Sequence, residues 1–447
     1  MGNHQATITS EQDALASQMA EAMLPLRNTR ETLDAGLTYA LQFVAHDFVP
    51  GRGQSLTAHG QYQFGLNLNS VYGNFDDFTY QFYPQNTGLL DETGRFRFDA
   101  ARPWDLPRNA VGKAIVPESR NDINVIVAQI HRLIQRVHNV LLDEGIADDV
   151  LQARQWVTHL YHGLVVDHLM RDLLEPGVYK LLFEQNNDVI KLDKQRIPYF
   201  FSHAAFRFGH SMVRRFYTLS DQASHVNLDE LVSPGKPIPR SHHINWAFLF
   251  NGGESSPALA IDTSIARGMQ FIPSFSPCQR QTEVNVIKQN ILSPMRKGLP
   301  AGVDFVRQWL EGDLGVADGV AGVYGIDSDA LKTLGLEAIT SLHHTNLSEF
   351  DLATLPLWPY LLAEAEIQQD GQCLGVLGSV MVGQVIKRAL QNADHPLVGH
   401  GGYSRERFLQ CIPASLREVL YPNYDFTSPM HFLKLNHLLE TESRYVS

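Results

Sequence analysis

Ala205-Phe206-Arg207-Phe208-Gly209-His210-Ser211-Met212-Val213 sets a histidine three residues after an arginine, inside an apolar segment that reads as helix. A second stretch, Leu41-Gln42-Phe43-Val44-Ala45-His46-Asp47-Phe48, is also apolar and helical in pattern. There Gln42 lies one helical turn before His46, so both side chains share a face. Asp47 points about 100° away from that face. The reading of the whole chain starts from these two histidines.

The chain has 447 residues, more than one compact domain usually needs, and is 44% hydrophobic and 19% charged. A large core is therefore within reach, and global disorder is excluded. A net charge of −12 argues against a nucleic acid or an anionic membrane surface as the main partner, because both call for a basic face. Cys278, Cys373 and Cys411 are far apart, form no CxxC pair and give no disulfide framework. The N-terminus, MGNHQATITSEQ, has neither a basic n-region nor an apolar signal core. The longest apolar run, Leu374 to Ile386, is broken by Ser379, Gln384 and glycines, too short and polar for a transmembrane segment. The expectation is a cytoplasmic chain, or one secreted by a route without a classical signal peptide.

Residues 11–48 carry helical periodicity that Pro50-Gly51 stops. Residues 54–110 are rich in Gly, Asn, Pro and aromatics and read as a long ordered loop region with short strands. Asn124 to Leu142 is an amphipathic helix with Ile126, Ile130, Leu133, Ile134, Val137 and Leu141 on its buried stripe. Residues 151–174 make another, ended by Pro176-Gly177. Residues 220–245 read as a polar surface loop. Helix is expected at 246–250, 257–268, 281–293, 301–311, 328–336, 347–368 and 374–391. The fold class is mainly α, one large helical domain with long ordered loops and little β. The expected boundaries are an N-terminal extension at 1–30, the main domain at 31–391 and a C-terminal helical extension at 392–447.

Common catalytic signatures are missing. HExxH and GxSxG do not occur, and no ExxH pair supplies a carboxylate di-iron site. Gly112-Lys113 and Gly235-Lys236 lack the upstream glycine of a phosphate loop; Pro107 and Glu230 stand there. Nineteen histidines remain. His131, His138, His159, His162 and His168, and the pairs His242-His243 and His343-His344, read as ordinary packed or loop residues.

Six strings recur in one order: Gln42-Phe43-x-x-His46-Asp47, Asn69-Ser70-Val71-Tyr72-Gly73, Ser119-Arg120-Asn121, His131-x6-His138-Asn139, Ala205-Phe206-Arg207-Phe208-Gly209-His210 and Asn290-x7-Gly298-Leu299-Pro300. In this the chain resembles the animal-type haem peroxidases, the peroxidase–cyclooxygenase superfamily, in its bacterial-type members, over roughly residues 30–390. Each string alone is weak; six in the family's order are specific. The resemblance implies a haem-peroxidase-like helical domain and a haem-dependent peroxidase. Such an enzyme uses hydrogen peroxide to oxidise a small-molecule reductant, organic or halide, through a ferryl intermediate.

His210 resembles the proximal iron ligand, and Asn290 the acceptor for its other ring N–H, a bond that makes the imidazole more electron-donating. Arg207 resembles the arginine that pairs with a haem propionate. His46 resembles the distal histidine, Arg120 the distal arginine, and Gln42 joins them on the pocket side. In the family the aspartate matching Asp47 binds calcium with a loop that reads here Gln63-Phe64-Gly65-Leu66-Asn67-Leu68-Asn69. Asn67 and Asn69 replace that loop's aspartate and serine, which leaves one charge fewer. Two readings stand: a weak calcium site at Asp47, Asn67 and Asn69, or a calcium-free loop braced by asparagine amides.

Other departures narrow the expectation. Ala45 and Ile123 occupy the positions of the carboxylates that form haem esters in mammalian members, so the haem b expected here is non-covalent. Without those esters chloride is a poor candidate substrate; bromide, iodide and phenols remain. Ser293 stands where the family has a second arginine, with Arg296 as a substitute. Arg207 stands where the fatty-acid dioxygenase branch has a catalytic tyrosine. The runner-up function is a haem-dependent tailoring oxidase or oxygenase acting on a specialised metabolite or fatty acid.

Overall fold

Helix-forming signals in the sequence are met by matching caps. The Asn124 side chain accepts from the backbone N–H groups of Ile126 and Val127 and starts the helix Val125–Asp143. Asp149 does the same for Gln152 at the head of Val150–Leu164. Thr9 and Gln12 form a reciprocal capping box at Ser10–Ala22. The computed structural model describes residues 6–24, 33–49, 64–73, 89–232, 235–250, 257–270, 272–274, 282–313 and 322–394. Expectations for residues 50–63, 74–88 and 395–447, and for Cys278 and Cys411, lie outside these.

The chain divides into two compact units, each discontinuous in sequence. The first takes residues 1–38, 170–215 and 257–389; the second takes 39–169, 216–256 and 390–447. Both are mainly helical, and strands occur among the described residues only as short antiparallel pairs.

In the first unit the core lies around the helix Leu357–Gln369, whose residues from Leu357 to Ala365 are all buried. Within it Glu364 is fully buried, and its two carboxylate oxygens accept from Leu377 and Gly378. A carboxylate so placed caps the N-terminus of the next helix, Val376–Gln391. Gly302 opens the helix Gly302–Leu310 against Tyr360, where an added Cβ would fall 1.9 Å from the ring, so only glycine fits. Lys288 on the helix Val286–Arg296 pairs with Asp13 of Ser10–Ala22 at 2.8 Å. The strands Ile190–Leu192 and Val323–Ile326 pair antiparallel, Ile190 opposite Ile326.

In the second unit Val125–Asp143 packs against Val150–Leu164, which widens into a π-helical turn at Val165–Met170. Phe43 meets Tyr161 edge to face, with centroids 6.0 Å apart. The helix Ala35–Phe48, all but its first four residues in this unit, presents Phe43, Val44 and Phe48 to the core.

Several segments differ from the expected helices: the 11–48 stretch is not helical at 24 and 33–34, Thr282–Val284 is a strand before the helix at Val286, Trp246–Phe248 is a 3-10 turn, and 347–356 holds only the 3-10 turn Leu352–Thr354 before the helix at Leu357. Two more differ at the His210 motif and near it. The stretch 198–218 is two short pieces, α-helical Tyr199–His203 and 3-10 Ala205–His210, broken at Ala204 with φ −136°. Residues 257–266 are not helical at all. Their backbone bonds to separate segments instead: Ala258 N–H to Leu33 O, Leu259 N–H to Met212 O and Ile261 N–H to Gly371 O. Among the described residues no helix is long and apolar enough to cross a membrane.

Candidate active site

His46 and Gln42 sit in the last three turns of Ala35–Phe48, both half-buried. Behind His46 is a 3-10 turn, Ser119–Asp122. This turn is anchored from below: Arg108 forks to Asp122 at 2.7 and 2.9 Å and to Asp105 at 2.8 and 2.9 Å, with Arg108 2% and Asp105 1% exposed. Fixed in this way, Asn121 brings its Oδ1 to 2.8 Å from Nδ1 of His46. An amide oxygen only accepts, so Nδ1 carries the proton and Nε2 keeps a free lone pair. The Asn121 amide nitrogen donates in turn to Nδ1 of His131, at 2.9 Å, and His131 Nε2 lies 3.1 Å from the Gln135 amide.

Arg120 folds back on its own turn. Glu118 accepts from its backbone N–H at 2.8 Å, from Nε at 3.0 Å and from Nη2 at 2.9 Å. Nη2 also donates to the carbonyls of His46, at 3.1 Å, and Val49, at 2.7 Å. A cation on the last carbonyls of a helix is favourable, so Arg120 fastens the end of the helix that carries His46. Its Nη1 has no hydrogen-bond partner among the described residues, nor do His46 Nε2 or the Gln42 amide. Burial, then the charge of Arg120, lowers the His46 pKa to about 4. The ring is neutral at physiological pH.

His210 and its partners lie in the first unit. His210 ends the 3-10 segment, half-buried, with Nδ1 2.7 Å from the Asn290 amide nitrogen. Asn290 is 1% exposed on Val286–Arg296. Its Oδ1 accepts from Arg207 Nη1 at 3.0 Å, and Arg207 Nε donates to Ser202 O at 3.0 Å. Trp358 Nε1 donates to the Arg207 carbonyl at 3.1 Å and fixes the backbone there. The expected His210–Asn290 pairing is thus present with its polarity reversed, because the Arg207 cation takes the amide oxygen. Burial, then Arg207, lowers the His210 pKa to about 4. His210 Nε2 has no hydrogen-bond partner among the described residues. With Nδ1 accepting, the proton of the neutral ring sits on Nε2; a haem-iron ligand at Nε2 would need the Asn290 amide turned so that its oxygen accepts from Nδ1–H, and the residue types for that are present.

The remaining candidates are placed as follows. Ser293 hydrogen-bonds His203 Nδ1 at 2.8 Å, and Arg296 donates to Gln289 at 2.8 Å. Asp47 accepts from the Leu68 and Ser70 N–H groups of the same loop, while Asn67 O and Asn69 Oδ1 meet Arg154 Nη2 at 3.4 and 3.2 Å, and the Arg154 charge acts on Asp47. Among the described residues no cluster of three or more His, Cys, Asp or Glu could hold a metal. His138 bonds Tyr72 and the Gly94 carbonyl, and His162 the Leu66 carbonyl, as packed histidines do. Sequence reading missed Asn121 and His131 as supports of His46. Their signal was adjacency: Asn121 follows Arg120, and His131 lies on the first turns of the next helix.

No family model matches the chain, and no curated protein matches it by sequence. Solved structures do match. Peroxidase A from Dictyostelium discoideum aligns with a TM-score of 0.58 at 14% identity, over 89% of this chain and 88% of that one. The fatty acid alpha-dioxygenase of Arabidopsis thaliana aligns at 0.57 and 12% identity, over 94% and 77%. That of Oryza sativa aligns at 0.58 and 12%, over 93% and 80%. The fold of this chain is thus the helical haem-peroxidase fold of these neighbours, in line with the resemblance read from the sequence.

Proposed function

We propose that the chain is a haem peroxidase that uses hydrogen peroxide to oxidise a small organic or halide donor, with haem b bound non-covalently. The observation that carries this reading is the set of three polar groups that the Arg120–His46 bonds bring into one region and that have no hydrogen-bond partner among the described residues: His46 Nε2, Arg120 Nη1 and the Gln42 amide. A neutral imidazole nitrogen, a guanidinium N–H and an amide are the donor and acceptor types that peroxide chemistry calls for. Bound haem supplies a redox iron that takes two oxidising equivalents from peroxide and passes them on one electron at a time.

His210 Nε2 is the residue to hold that iron, and Arg207 the cation for a haem propionate. His46 Nε2 takes a proton from one peroxide oxygen and returns it to the other as the O–O bond breaks. General acid–base help of this kind is worth about 10²–10⁴-fold. Arg120 offsets the negative charge that develops on the departing oxygen. Gln42 orients the peroxide from the preceding turn. In sum, for an organic donor one hydrogen peroxide and two donors, each losing an electron and a proton, yield two waters and two donor radicals; for a halide one hydrogen peroxide, one halide ion and one proton yield a water and a hypohalous acid in a two-electron step. Ala45 and Ile123 offer no carboxylate for ester bonds, which is why the haem is assigned as non-covalent and chloride is not assigned as substrate.

The fatty acid dioxygenases among the matching structures support a second reading, an oxygenase on a fatty acid or specialised metabolite. Arg207 in place of that branch's tyrosine weighs against it. The test is His46→Ala on the haem-loaded protein, with rapid mixing against peroxide. The expected result is retained pigment and a peroxide rate lower by about 10²–10⁴-fold. An unchanged rate, or oxygen uptake with a fatty acid but no peroxide turnover with phenols or halides, overturns the peroxidase assignment.

A further inference from the structure

A calcium site needs six to eight oxygens turned inward at roughly 2.3–2.6 Å, and enough negative charge to balance a dication. The loop around Asp47 supplies neither. Asp47 is its one carboxylate, and both of its oxygens are taken: Oδ1 by Ser70 N–H and Oδ2 by Leu68 N–H, each at 3.0 Å. Asn67 Oδ1 accepts from Asp394 N–H at 2.8 Å. The Leu66 carbonyl is bonded by His162 Nε2 at 2.6 Å, and the Phe64 carbonyl by Asn392 at 2.8 Å. Asn67 O and Asn69 Oδ1 meet the Arg154 guanidinium at 3.4 and 3.2 Å.

Arg154 is itself part of the core. It stands on Val150–Leu164 at 6% exposure, beside Asp47 at 6% and Asn67 at 2%. Its guanidinium lies 5.2 Å from the Tyr72 ring centroid, a cation–π distance. One buried cation against one buried carboxylate is neutral. A dication added to that pair would leave two uncompensated positive charges out of water, a heavy desolvation cost.

We infer that Arg154 is a built-in replacement for a metal ion at the Asp47–Asn67–Asn69 loop: its guanidinium holds the loop, and the fold takes no calcium there. The side chain reaches from a different helix to the oxygens a cation would gather, and it carries its charge permanently. The two asparagines follow from this. With a monocation in the middle, further carboxylates would be unbalanced, whereas amides bond to it without charge.

The experiment uses the full-length protein as purified, whatever its haem content, and reads metal content and thermal unfolding. After exchange into calcium buffer and gel filtration, wild type is expected to carry far less than one calcium per chain. Its Tm is expected to be the same with chelator or with millimolar calcium. Stoichiometric calcium, or a Tm that falls on chelation, overturns the inference. Arg154→Ala leaves Asp47 buried beside empty space, and its Tm is expected to drop by on the order of 5 °C or more. Calcium is expected to recover part of that drop, and more of it in Arg154→Ala combined with Asn69→Asp. Should Arg154→Ala not fold, Arg154→Lys serves: it keeps the charge but loses the fork, and a smaller, chelator-insensitive Tm drop is expected. A Tm equal to wild type in Arg154→Ala, with or without calcium, counts against the guanidinium as the holding group.

Discussion

His46 and His210 are each held at Nδ1 by an asparagine amide, and the two amides face opposite ways. Asn121 turns its oxygen to His46, at 2.8 Å, and its nitrogen to His131. Asn290 turns its nitrogen to His210, at 2.7 Å, and its oxygen to Arg207. The difference lies in the second partner. A histidine behind Asn121 can accept, so it draws the amide N–H; an arginine beside Asn290 can only donate, so it draws the oxygen. At His46 the outcome is a ring whose Nε2 is ready to take a proton. At His210 the proton sits on Nε2. If His210 is the haem ligand proposed above, that nitrogen would have to give up its proton and Nδ1 would carry one, for which the acceptor within reach would be the Asn290 oxygen; turning the amide would then cost Arg207 one of its bonds.

The strongest way to break the comparison is to remove each ring. His210→Ala is expected to lose essentially all haem, read as loss of the Soret band, whereas His46→Ala keeps it; equal pigment in both variants would mean that the two histidines are not distinct in role. Next in size is Arg108→Ala, which strips the cation from buried Asp105 and Asp122 beneath the turn that holds Asn121. Breaking a buried pair costs about 3–5 kcal/mol, measurable as a lower urea midpoint. A loss below about 1 kcal/mol would show the turn to be held by other contacts. Asn290→Leu tests the coupled amide. It removes the amide that bonds His210 and one of the partners of Arg207, and haem affinity is expected to fall about 10–100-fold, the usual weight of a ligand's outer hydrogen bond. Affinity unchanged by Asn290→Leu would assign Asn290 to packing alone.

These contrasts bear on what a sequence discloses. The helix Val125–Asp143 was legible because its apolar stripe is unbroken and Asn124 stands at its head. The His46 helix was legible for the same reason. Residues 257–266 were misread as helix because a fully buried run has no polar face to betray its period; here Leu33, Met212 and Gly371 take its backbone N–H groups, and none of these is a neighbour in sequence. The segment of His210 was read as one helix, but Trp358 takes the carbonyl of Arg207, and Arg207 Nε bonds back to Ser202. Tertiary bonds there outweigh a weak local propensity. The loop at Asp47 was legible as a cation site in outline. Its cation, Arg154, lies 85 residues from Asn69 on another helix, and no local pattern marks it.

The smallest expected effect separates the forces acting on His46 itself. The ring must be neutral to take a proton from peroxide. Burial, followed by the Arg120 charge, holds its pKa near 4, while the hydrogen bond to Asn121 pulls upward. The rate of reaction with peroxide should therefore stay level from neutral pH down to about 4 and fall below that, as the ring protonates, instead of falling from the ordinary imidazole value near about 6.5. Two variants move this acid limb in opposite directions. Arg120→Met removes a repelling cation and should shift the limb upward; Asn121→Ala removes a bond that favours the charged ring and should shift it downward. The position of the limb is read independently of its height, so losses of rate in either variant do not blur it. If both variants move the limb the same way, the ring is governed by exposure to solvent and not by these two neighbours.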